Sequence, residues 1–226
     1  MFGYLQTFWE QFDWSVLLDA LQRILSVLLC LTVHESSHAL AAYTLGDSTA
    51  KQMKRLNWNP LHHIDWLGLA AMFLCGFGWA KPVPVDMNSF KNPRRGMALT
   101  ALAGPISNFL LAFGMIFGAS LMVDAVSIAG HVSARLWSVL LWTAEFFVST
   151  AVLSIGLGVF NLIPIPPLDG SKVLFSVLPE RAYRTLMYYE RYGMLILLCM
   201  IWLDLGGNYL TQAIQIVYSW MIGLFF

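Results

Sequence analysis

Residues Met97–Val123 carry no charged side chain. Coiled as a helix they are about 40 Å long, more than the ~30 Å hydrocarbon thickness of a bilayer. Lipid cannot satisfy backbone amides, so a run like this is confined to a helix that bonds to itself. Phe146–Leu168 is a second uncharged run, with apolar character reaching back to Leu136, and Leu205–Phe226 is a third. Ser15–Leu45 is also apolar, interrupted by Asp19, Arg23, His34, Glu35 and His38; it contains no proline, and Gly46-Asp47-Ser48 closes it. Composition agrees. Apolar types make up 58% and charged types 12%, against roughly 45–50% and about 25% in soluble domains. The expected fold is an all-α polytopic membrane protein, a single domain over 1–226. Its core helices are expected near 15–46, 97–123 and 136–168, with C-terminal helices within 182–226.

Two apolar runs are shorter. Trp66–Ala80 holds Gly68, Gly76 and Gly78 and suits a re-entrant segment or a buried β-hairpin. Tyr192–Leu203 reads as a partial span, or as a full one extended back towards Ala182. The total is then five to six transmembrane helices. Met1–Trp14 has six aromatic residues and no Lys or Arg, which suits an interfacial segment and not a signal peptide. With Trp66–Ala80 re-entering, eleven of the thirteen Lys and Arg fall on one side, leaving Arg23 and Arg135. The positive-inside rule makes that side cytoplasmic and the protein a multi-pass component of the cell membrane. The formal net charge is zero, so bulk charge gives no argument for nucleic acid. Cys30, Cys75 and Cys199 form no CxxC pair and read as packing residues.

Inside the first helix stands His34-Glu35-Ser36-Ser37-His38. Residues four apart share a helix face, so both imidazoles reach one ion, and Glu35 leans over it as a general base. Three ionisable groups in lipid demand compensation, which a metal supplies. The competing structural reading is that the histidines bond to neighbouring helices and Glu35 stays protonated. His62, His63 and His131 read as loop residues, solvated or capping. A catalytic zinc site needs a third protein ligand and one open position. Asp169 follows Pro164, Pro166 and Pro167, where a helix cannot continue. It is either that ligand or the N-cap of a helix starting at Gly170.

These residues resemble a known family. His34–His38, then Ala103-Gly104-Pro105-Ile106-Ser107-Asn108, then Asn161 with Leu168-Asp169-Gly170, are similar to the motifs of site-2 proteases, the M50-type intramembrane zinc metalloproteases. Asn59–Asp65, Gly78–Val85 and Phe90–Gly96 resemble the compact prokaryotic group of that family. The resemblance implies His34, His38 and Asp169 as ligands of one Zn2+ and Glu35 as the catalytic base. It implies a substrate- or oxyanion-holding role for Asn161 and sets Asn108 beside it as the asparagine of the second motif. Interhelical hydrogen bonding is the structural reading of both asparagines, and a close-packed kink that of Gly104-Pro105. Trp66 stands where relatives often have proline, and the connections are too short for a PDZ-like domain.

The implied function is hydrolysis of peptide bonds within or near transmembrane segments of membrane protein substrates, as in regulated intramembrane proteolysis. The lipid bilayer is the other partner. The alternative is a membrane zinc-binding or transport protein. Lys81–Asp86, with two prolines, is expected as an edge strand that binds an unwound substrate by β-addition. His34 lies roughly 18 Å from the helix end by helix rise, so the site is expected to open towards the cytoplasm.

Overall fold

The computed structural model describes residues 14–75, 79–129, 133–179, 181–182, 188 and 190–225. Helix α1 runs Trp14–Thr44. Gly46 ends it with φ +111, a left-handed turn that glycine adopts without a Cβ clash. Gly46 N–H bonds to Tyr43 O and Asp47 N–H to Ala42 O, the pairing of a Schellman cap. Short α2, Thr49–Gln52, follows, and then a 3-10 turn at Pro60–His62 capped by the Asn59 side chain.

Helix α3, Trp66–Cys75, starts where Asp65 Oδ1 accepts the N–H groups of Leu67 and Gly68. Ile64 and Ala80 pair as an isolated antiparallel bridge, so this insertion returns to where it left. Residues 66–75 are helical, so the expected β-hairpin does not form there; no strand occurs among the described residues, and Lys81–Asp86 is an irregular strap instead of the expected edge strand.

Helix α4 spans Pro93–Ala129 and α5 spans Ala134–Asn161. The expected span to 168 stops at Asn161 because Pro164, Pro166 and Pro167 cannot continue the ladder. Helix α6, Asp169–Val177, begins after that break. Helices α7, Gly193–Trp202, and α8, Gly207–Ile222, complete the chain. They are bent by 89° across the break at 203–206, where Asp204 and Gly206 are both left-handed. Three described helices are long and apolar enough to cross a membrane, four if that bent pair counts as one, against the five to six expected. Directly before α7 the chain forms a 3-10 turn, Glu190–Tyr192; of the expected backward extension, 183–187 and 189 lie outside the described residues, as does the interfacial segment 1–13.

Helices α1, α4 and α5 pack together, and α4 also packs against α6. Small residues make the close approach possible: Ala39, Ala42, Ala101, Ala112 and Ala151 are all buried. Hydroxyls link α1 to α5, with Ser26 Oγ 2.8 Å from Thr150 Oγ1. Cys30 packs in this seam as expected, whereas Cys199 is exposed. Leu21, Leu25, Leu110, Phe113 and Phe117 face outward, as a lipid-facing surface requires.

Candidate metal centre

His34 and His38 project from one face of α1 towards the start of α6. Their Nε2 atoms are 3.0 Å apart. Asp169 Oδ2 lies 3.2 Å from the first and 3.0 Å from the second. All three residues are buried. What faces the middle of this triangle follows from the hydrogen bonds behind it. Asn108 Nδ2 donates to Cys30 O and Ser154 Oγ, so its Oδ1 is an acceptor, and it sits 2.6 Å from His34 Nδ1. The Thr100 carbonyl, also an acceptor, sits 2.7 Å from His38 Nδ1. Both Nδ1 atoms therefore carry the proton, and both Nε2 atoms present lone pairs.

Asp169 Oδ2 is buried without a hydrogen-bond donor. Three acceptors converging in this way repel one another, and a cation between them removes the repulsion. The size fits as well. The triangle's centre is about 1.8 Å from each corner, and a point about 1 Å out of its plane is about 2.1 Å away, the Zn–N and Zn–O distance. The donor set of two imidazoles and one carboxylate, with a cavity on the remaining side, suits zinc with an open position.

A cavity of about 410 Å³ opens on the triangle. Glu35, buried like the ligands, lines it beside them. The strap contributes Pro82, Val83 and Val85, and Val83 donates its N–H to Glu35 Oε2 at 3.2 Å. Asn161 also lines the cavity, with its amide bonded back to Leu157 O at 3.0 Å. Asn108 is not a lining residue; it is fully buried behind His34. Its contact is with a ring nitrogen, which makes it a positioning residue.

Several contributors carried no sequence signal. Thr100 acts through its main-chain carbonyl, which no side-chain pattern reveals. Lys172, one turn into α6, places Nζ 3.4 Å from Asp169 Oδ1 and lines the cavity. Gly104 has a tighter role than a kink. A Cβ there would lie 2.5 Å from His38 Cε1 and 2.6 Å from His34 Cε1. Of the other histidines, His62 is exposed, whereas His63 is 1% exposed with Nε2 bonded to Asn57 O; His63 is the C-cap of the 3-10 turn, within the loop as expected but not solvated, because that turn folds inward. His131 lies outside the described residues.

The family model described as peptidase family M50 matches residues 22–203. YwhC of Bacillus subtilis strain 168, by name a candidate zinc metalloprotease, is 35% identical over 192 residues, covering 85% of each chain. Rip2 of Mycolicibacterium smegmatis, named in the same way, is 29% identical over 178 residues, covering 77% of this chain and 64% of that one. Rip2 of Mycobacterium tuberculosis strain H37Rv is 28% identical over 177 residues, covering 76% and 63%. No solved structure matches. With the family profile spanning most of the sequence and this membrane-length helical core, the chain belongs to peptidase family M50 and is a membrane metalloprotease.

Proposed function

We propose that the chain is an intramembrane zinc endopeptidase that cleaves peptide bonds within or near transmembrane segments of other membrane proteins, the chemistry of regulated intramembrane proteolysis. One observation carries this reading: His34, His38 and Asp169 converge beside Glu35 in a single cavity between helices of membrane-spanning length. His34, His38 and Asp169 are the residues that would hold one Zn2+. Bound there, the ion supplies Lewis acidity, polarising a carbonyl and bringing the pKa of water to about 7.

Glu35 takes the proton of the attacking water and delivers it to the leaving amine. Asn161 is the group we assign to the carbonyl oxygen; its amide must release Leu157 O to reach it. An unwound substrate pairs with the strap, where Arg55 occupies the Lys81 and Pro82 carbonyls and Val83 N–H is on Glu35. Among the described residues Val85 N–H and the carbonyls of Val83, Pro84 and Val85 carry no other bond and are left for it. The Lys- and Arg-rich loops are cytoplasmic, in the cell membrane, and 66–75 re-enters without crossing. Zinc transport is disfavoured because Ala112, Ile116, Ala151 and Ile155 close the bundle with apolar packing.

The test uses the full chain co-reconstituted with single-span reporters bearing Gly-Pro breaks at graded depths. Glu35→Gln is expected to keep zinc and lose cleavage. Retained turnover in that variant would sink the mechanism, and a wild type that cuts none of the reporters would sink the substrate class.

A further inference from the structure

Glu35 has one contact that the reaction does not use. Val83 N–H occupies Oε2, which leaves Oε1 as the proton acceptor. Val83 stands between Pro82 and Pro84, which have no N–H. Its amide is therefore the single donor of that tripeptide.

The strap holding this amide is gripped at both ends by buried charged residues from the segment after α1. Arg55, 8% exposed, donates to the carbonyls of His62, Lys81 and Pro82. Asp47, fully buried, accepts Asp86 N–H at 2.8 Å and Thr49 N–H at 2.9 Å. Among the described residues neither forms an ion pair. Burying an unpaired charge is costly. Here both charges are spent on main-chain groups that fix one short stretch of chain. Lys81 N–H adds a third tie, to His63 O.

We propose that Arg55 and Asp47 are positioning residues for the general base, acting through the strap, whose Val83 N–H sets the orientation of the Glu35 carboxylate. This rests on the reading of Glu35 as the base. It gives the strap a task in the chemical step, separate from holding substrate.

Val83→Pro removes the one N–H and extends an existing proline run. The expected result, with a reporter that the wild type cleaves, is a kcat about 10- to 100-fold lower, with KM and zinc content unchanged. Arg55→Met lowers kcat likewise. Arg55→Lys loses less, because it keeps the charge but not the planar fork.

An unchanged kcat in zinc-loaded Val83→Pro overturns the proposal. So does a loss confined to KM, which would assign the strap to substrate binding. If the proline variant does not accumulate, residue-resolved amide exchange on 15N-valine protein decides. Val83 is expected to exchange about tenfold faster in Glu35→Ala than in the wild type, and equal protection overturns the proposal. Cleavage by Glu35→Gln would instead defeat the reading of Glu35 as the base.

Discussion

Asn108 Oδ1 sits 2.6 Å from His34 Nδ1, in a pocket where Asn108 is completely buried. That contact fixes which nitrogen of His34 carries the proton, so Nε2 is left facing Asp169. Outer partners of this kind set ligand orientation and basicity. Asn108→Ala is expected to weaken zinc binding about 10- to 100-fold, with Asn108→Asp, which keeps an acceptor, losing less. Competition against a chelator of known affinity measures both. Equal affinity in all three proteins would mean that His34 is held by packing alone.

Gly104→Ala separates packing from propensity. Alanine is the better helix former by about 1 kcal/mol. Its Cβ, however, would fall within 2.6 Å of both imidazole rings, and overpacking of this kind costs about 1–3 kcal/mol. The variant is expected to lose zinc and to melt at lower temperature. A stabilised, zinc-replete variant would show that α4 does not press on the histidines as described.

Asp47 gives a pH dependence outside the membrane-spanning segments. Burial raises its carboxyl pKa, but the bonds from Thr49 and from Asp86 N–H outweigh burial and hold it below the ordinary value. The folded value is thus depressed, so the unfolded chain binds the proton first as pH falls. The stabilisation is complete above the unfolded value, near 3.9, and drains away as pH drops through the lower folded value. Asp47→Asn is expected to cost about 1–3 kcal/mol at neutral pH. Its difference in melting temperature from the wild type should narrow below about pH 4. A gap that stays constant down to pH 3 would contradict a charged Asp47.

The two ends of this site differed in how plainly the sequence announced them. His34, Glu35 and His38 were legible because their spacing and an apolar helix leave few alternatives. Asp169 was half legible: its prolines announced a break in a protein-lined place, but left ligand and N-cap both open until the resemblance chose the ligand. In the sequence Arg55 stood only as one of the charges on one side of the membrane; that it is buried on three carbonyls was not legible. Main-chain acceptors have no residue type, so neither this nor the Thr100 carbonyl behind His38 shows in composition or spacing. The break between α7 and α8 was legible in Gly206-Gly207, which separates two apolar runs; the angle between them was not.

Asp169 opens α6 just beyond the proline break, while its two imidazole neighbours belong to α1, far back in the chain. An ion held by all three would be a cross-link that closes a very long loop. Closing such a loop restricts the unfolded chain far more than the folded one. Zinc bound there would be a fastener as well as a reagent. It would hold the segment after the prolines against the first helix through the same three side chains that line the reaction cavity.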